Sequence, residues 1–154
     1  MVQSPSASSN IPALARRVAL RYAGLSQVEA VTLGGSCASD AADGSSDVDL
    51  YVYCHEAVSL EVRRQIAAPA MRAEIGNEFW EPGDEWIDAE TGVSVDVMFR
   101  HVEWIRDRLD GALNKHWASV GYSTCFWYNV LNSQILFDRQ GWFMGLQKTA
   151  RRPY

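Results

Sequence analysis

Two segments of this chain alternate strictly between polar and apolar residues, and that alternation constrains the fold more than any other feature. From Asp47 to Cys54, Asp47, Asp49, Tyr51 and Tyr53 fall on one side, and Val48, Leu50, Val52 and Cys54 on the other. From Val93 to Phe99, Val93, Val95, Val97 and Phe99 share one side, and Ser94, Asp96 and Met98 the other. Successive side chains of a strand point to opposite faces, so a period of two marks a half-buried strand. Each strand then has an aliphatic face that must be covered by another layer and a second face that carries carboxylates.

The remaining pattern supplies the covering layers. Ile11, Leu14, Ala15, Val18, Ala19 and Tyr22 have helical spacing, with Asn10 as a cap, Pro12 in the first turn and Gly24 at the end. Val28 to Leu33 reads as a strand that stops at Gly34-Gly35, and Ser59 as the cap of a helix running toward Ala68, where Pro69 disturbs it. Pro82-Gly83 marks a turn, Glu85-Trp86-Ile87 a short strand, and Glu90-Thr91-Gly92 a hairpin loop leading into Val93. Helices follow over Val102–Leu113 and Ser123–Leu131, then a strand at Ile135-Leu136-Phe137, a turn at 138–141 and a last helix from Trp142 to Ala150. Residues 1–10 are Ser-rich and polar and read as a flexible tail. The expectation is one α/β (α+β) domain over residues 11–154, with a mixed central β-sheet flanked by helices; 154 residues suit a single domain.

Charge and cysteine usage exclude several classes. Nineteen Asp and Glu against fourteen Lys and Arg give a formal charge of −5, the wrong balance for a broad nucleic-acid-binding face. Cys37, Cys54 and Cys125 are odd in number and far apart, which disfavours a zinc site or a disulfide framework and suits a reducing cytoplasm. No apolar run approaches the ~20 residues that a membrane span needs. His55, His101 and His116 are scattered and read as surface or packed histidines. Trp117, Tyr122, Phe126, Trp127, Tyr128, Trp142 and Phe143 read as core, with a lesser part lining a pocket or a dimer face.

Chemistry concentrates around the carboxylate strands. Gly34-Gly35-Ser36 follows an apolar strand, and 36–40 can open a helix; glycines let a backbone approach a ligand closely, and helix-start N–H groups suit phosphate. Asp47 and Asp49 lie on one side of a strand, about 7 Å apart. Taken alone, such a pair is as readily two solvated residues at a strand start. Asp96 shifts the balance, because it is the one ionisable residue in an apolar strand and points away from that strand's apolar face. If the two strands are neighbours, three carboxylates converge within a strand spacing of ~5 Å. Hard oxygen ligands of this kind suit Mg²⁺ or Mn²⁺, and two ions ~3.5–4 Å apart can clamp the attacking and leaving oxygens of a phosphoryl displacement.

Gly35-Ser36, ten intervening residues, Asp47-Val48-Asp49 and the later Val95-Asp96-Val97 together resemble the signature of the DNA-polymerase-β-like nucleotidyltransferase superfamily. Gly83 to Phe99 and Ile135 to Arg139 look like its aminoglycoside-type and minimal branches. The resemblance covers roughly residues 28–142. It implies the nucleotidyltransferase fold and transfer of a nucleoside monophosphate from a nucleoside triphosphate, ATP first among them, to an acceptor hydroxyl with release of pyrophosphate. It also implies that Gly34, Gly35 and Ser36 hold the phosphates, that Asp47 and Asp49 ligate the metals, and that Asp96 completes one metal site and helps activate the acceptor.

The acceptor is expected to be a small hydroxylated molecule of aminoglycoside type. The alternatives are a partner protein modified by an adenylylating antitoxin, or an inactive nucleotide-binding module. Members commonly continue into a helical C-terminal domain that shapes the acceptor site, and the expectation for this chain is that another chain or a second copy binds the acceptor, that the protein is a minimal form, or that the sequence is truncated. Many also carry an Arg soon after the Gly-Ser pair, where this chain has Cys37-Ala38-Ser39-Asp40; Arg100 or Arg64 are the residues that can stand in.

Overall fold

Val28–Gly34 (β1), Val48–Cys54 (β2), Ala70–Asn77 (β3), Gly83–Asp88 (β4), Ser94–His101 (β5) and Gln134–Asp138 (β6) form one six-stranded sheet in the order β3-β4-β5-β2-β1-β6. The helices are Ala13–Ala23 (α1), Leu60–Ala67 (α2), Val102–Leu113 (α3) and Trp142–Ala150 (α4), with a further helical turn at 129–132. This computed structural model describes residues 12–34, 48–68, 70–77, 83–113 and 129–151. The expected tail, the expected helix start at 36–40 and most of the expected helix from Ser123 lie outside the described residues. Among the described residues no helix is long and apolar enough to cross a membrane.

The sheet is mixed, as the sequence pattern predicts. β2 and β5 run parallel, whereas β1 pairs antiparallel with β2 and β6, and β4 antiparallel with β3 and β5. A parallel pair needs a long crossover, and here α2, β3 and β4 lie between its two strands.

Alternation assigns the two faces of the sheet. Val31, Leu33, Val48, Leu50, Val52, Val95, Val97 and Trp86 are buried on the first face, together with Leu14, Val18 and Tyr22 of α1 and Ile66 of α2. Ala30 and Tyr53 belong to the second face, where they pack with Val102 and Ile105 of α3, Val130, and Phe143 and Leu146 of α4. Aromatics fill much of that second layer, and the Tyr53 and Phe143 rings lie 5.1 Å apart. Cys54 is buried on the first face, and burial pushes its thiol up to about 12, so it is not a nucleophile at neutral pH.

Local chemistry sets the element ends. The Ser59 hydroxyl accepts from the Val62 amide at 3.3 Å, the expected cap of α2. Asp138 accepts from the Phe143 and Met144 amides at 3.0 and 2.9 Å and so caps α4, where a carboxylate also suits the helix dipole. Gly92 has φ +71 at the hairpin between β4 and β5, a conformation that favours glycine. One detail differs from expectation: Pro12, not Asn10, occupies the cap position of α1, while Gly24 closes that helix as expected. Residues 70–77 carried no assignment in the sequence. β3 is a strand although Ala70-Met71-Arg72-Ala73-Glu74 consists of good helix formers; pairing with β4 overrides that propensity.

Two polar clusters fasten the first layer. Arg63 of α2 is buried against Asp84 of β4, with Nε 2.9 Å from Oδ2 and Nη2 3.2 Å from the Gly83 carbonyl, and the Gly76 amide donates to Asp84 at 2.9 Å. Its guanidinium also lies 4.4 Å from the Phe99 ring centroid. Asp88 accepts from the Thr91 amide and hydroxyl, each at 3.0 Å, and pairs with Arg17 of α1 at 3.0 Å. Burial opposes ionisation of Asp88, but the Thr91 and Arg17 donors outweigh it and hold the carboxyl below its ordinary value.

Two predictions follow from these clusters. Replacing Arg63 by Met strands a buried carboxylate and lowers unfolding free energy in a urea titration by about 3–5 kcal/mol, while Arg63→Met with Asp84→Leu recovers most of the loss. Because the folded-state pKa of Asp88 is depressed, its contribution is present above the ordinary value of 3.8 and is lost as pH falls through the folded value. Asp88→Asn, which loses the charge-assisted bonds to Thr91 and Arg17, therefore costs about 1–2 kcal/mol at pH 7, and the difference from wild type shrinks as pH falls from the ordinary value of 3.8 through the lower folded value.

Candidate functional site

The parallel β2–β5 ladder sets Asp49 directly opposite Asp96, and the β1–β2 ladder sets Gly34 opposite Asp49. Paired residues of adjacent strands project to the same face, so both carboxylates lie on the second face, about one strand spacing of ~4.8 Å apart. Both are half-buried, whereas their neighbours Val48, Leu50, Val95 and Val97 are buried on the first face. Of the residues singled out in the sequence, Gly34, Asp49 and Asp96 are thus brought into one row. Gly35, Ser36 and Asp47 lie outside the described residues, Gly35 immediately after the end of β1 and Asp47 immediately before β2.

Behind this row, along the same face, come Tyr51 opposite Met98 and then Tyr53 opposite Arg100. Gly34 is required by this neighbourhood. A Cβ there would stand 2.5 Å from Tyr51 Cε2 and 3.2 Å from Asn129 Nδ2, so the Tyr51 ring occupies the space that a side chain would need. Arg100, although buried, is engaged throughout: its guanidinium lies 4.2 Å from the Tyr51 ring centroid, and Nη1 donates to Tyr53 Oη at 3.2 Å and to Asn129 Oδ1 at 2.8 Å. Arg64 belongs to α2, which packs on the first face through Ile66 and Ala67, away from the carboxylates.

One acidic residue was not singled out from the sequence. Glu85 pairs with Asp96 in the β4–β5 ladder and extends the row by one strand on the same face, exposed to solvent. Only the β4–β5 register sets it beside Asp96, with its neighbours Asp84 and Trp86 buried on the first face, so no local signal in the sequence marked it. Among the described residues no three His, Cys, Asp or Glu side chains converge as a ligand set. The two carboxylates of Asp49 and Asp96 are hard oxygen donors of the kind that Mg²⁺ or Mn²⁺ takes, and no thiol or imidazole stands among the described residues of the row.

Other residues of interest have structural partners. His55 Nε2 is 2.7 Å from Glu29 Oε1 after the end of β2, and His101 Nδ1 accepts from the Glu103 amide at 3.1 Å at the start of α3. Arg139 donates to the Val28, Ala23 and Leu25 carbonyls at 3.0–3.1 Å. Together with the cap made by Asp138, this gives Ile135 to Arg139 a packing role.

No family model matches the sequence, and no curated protein does. Among solved structures, the chain is similar to a nucleotidyltransferase-like protein from Exiguobacterium sibiricum 255-15, at 15% identity and a TM-score of 0.49, over 89% of this chain and 37% of that one. The chain thus spans little more than a third of that protein's length. A likeness of this degree assigns neither family nor activity.

Proposed function

We propose that the chain is a metal-dependent nucleotidyltransferase that moves a nucleoside monophosphate from a nucleoside triphosphate to an acceptor hydroxyl. The observation that carries this reading is the Asp49–Asp96 pair, held in register across parallel strands beside the end of β1. Two like charges on adjacent strands repel, and a hard divalent cation between them would offset that repulsion. Asp49 and Asp96, with Asp47, would hold Mg²⁺ or Mn²⁺, which supplies charge neutralisation on the triphosphate. The turn Gly34-Gly35-Ser36 would receive the β- and γ-phosphates on backbone N–H groups and the Ser36 hydroxyl.

Asp96 would orient the acceptor hydroxyl and accept its proton as that oxygen attacks the α-phosphorus. The bond from the α-phosphorus to its bridging oxygen breaks, and pyrophosphate leaves with the electron pair. Positioning and electrostatics would supply most of the rate, as in phosphoryl transfer generally. A small hydroxylated molecule is the acceptor class proposed.

The test is calorimetric titration of ATP, GTP, CTP and UTP, with Mg²⁺ or Mn²⁺, into wild type, Asp49→Asn and Asp96→Asn. Wild type is expected to bind a nucleotide only with metal present, and each variant to lose at least about tenfold in affinity. Metal-independent binding, or full binding by both variants, would sink the proposal.

A further inference from the structure

Asn129 has one half of its amide tied and turns the other toward the carboxylate row. Arg100 Nη1 donates to Oδ1 at 2.8 Å. A guanidinium only donates, so the atom that meets it is the carbonyl oxygen, and the amide NH2 faces the other way. That group stands over Gly34: Nδ2 lies 3.2 Å from where a Cβ on Gly34 would be, and Gly34 is the residue opposite Asp49. Among the described residues Nδ2 meets no acceptor. The backbone of Asn129 is pinned as well. Its carbonyl accepts from the Ser133 amide at 3.0 Å, and Gln147 of α4 donates to the Val130 and Ser133 carbonyls at 2.9 and 3.0 Å. A donor fixed in this way and left unused suits an oxygen ligand, because little ordering cost remains when the ligand arrives.

We propose that Asn129 is a nucleotide-binding residue whose Nδ2 donates to a phosphate oxygen of the nucleotide that shares the cation of Asp49 and Asp96. The proposal rests on the nucleotide-site reading above and adds to it a contact from the helical turn at 129–132. The polarity of the row selects phosphate for this end. At its β4 end stands Glu85, an exposed carboxylate that repels an anion, whereas the β1 end offers Gly34, with no side chain, and the amide donor. A hydrogen bond to an ionised acceptor is roughly twice as strong as a neutral one. Arg100 reinforces it from behind, since a cation on Oδ1 polarises the amide and makes Nδ2 the stronger donor.

The experiment measures Mn²⁺ alone by electron paramagnetic resonance, and Mn²⁺-ATP and Mn²⁺-tripolyphosphate by calorimetry, on wild type, Asn129→Leu and Asn129→Asp. Leucine is close to asparagine in shape without the polar atoms, whereas aspartate keeps the acceptor for Arg100 and replaces the donor by a negative oxygen. Both variants are expected to lose at least about tenfold in affinity for Mn²⁺-ATP and for Mn²⁺-tripolyphosphate. Asn129→Leu should bind Mn²⁺ alone within about twofold of wild type. If it does not fold, Asn129→Ser, whose hydroxyl is too short to reach, takes its place. A loss confined to the uncharged variant would mean that the effect runs through Arg100, and one confined to Asn129→Asp that it is charge acting at a distance; either overturns the contact, as does no loss at all. Binding, or loss of binding, seen with ATP but not with tripolyphosphate would move the contact to the nucleoside and overturn the phosphate assignment. A parallel fall in Mn²⁺ affinity in the uncharged variant would reduce Asn129 to a structural role. Wild type that binds neither Mn²⁺ nor Mn²⁺-ATP would instead overturn the nucleotide-site reading, and this contact with it.

Discussion

The parallel ladder between β2 and β5, from Val48 opposite Val95 to Cys54 opposite His101, is the constraint on which the rest depends. The pleat has a period of two, so a slip of one residue would turn Asp96 into the aliphatic layer and bring Val95 or Val97 out beside Asp49. Burying a carboxylate among Val31, Leu50 and Val52 costs far more than any local preference could offset. The aliphatic core thus holds the two acids together, although they repel. Packing on the first face fixes the chemistry presented on the second.

The two faces differ in kind as well as in position. The first is an aliphatic layer fastened by the buried Arg63–Asp84 pair and by the Arg17 bridge to Asp88. The second is aromatic and polar, with Tyr51, Tyr53 and Arg100 behind the acid pair and Asn129 closing over Gly34. Such a layer offers orientation rather than bulk burial, because a guanidinium stacked on a ring and bonded to an amide has few alternative arrangements. Gly34 stands where the backbone of β1 meets that layer, and the Tyr51 ring is the physical reason for the glycine.

Much of this was legible in the sequence because it is local. Alternation in Asp47–Cys54 and Val93–Phe99 separates the aliphatic face of both strands from the face with the carboxylates, although it does not reach Arg100 and His101, and Ser59 and Gly92 mark a helix start and a hairpin by chemistry confined to a few residues. What was not legible depends on distant partners. β3 carries helix-forming residues and becomes a strand only because β4 is there to pair with it. The Arg100–Asn129 bond joins residues 29 apart, and no periodicity announces it. Glu85 needed the β4–β5 register before its neighbourhood with Asp96 had meaning. For the site itself, the sequence singled out Asp49 and Asp96 from alternation alone, but only the strand order makes them neighbours.

The most direct test of the central claim is a crystal structure grown with Mn²⁺ and a non-hydrolysable ATP analogue, with diffraction recorded at the manganese absorption edge. The account predicts an anomalous peak ligated by carboxylate oxygens of both Asp49 and Asp96, with the phosphates of the analogue reaching the same ion. A peak bound elsewhere, or strands β2 and β5 out of the register that sets Asp49 opposite Asp96, would contradict it.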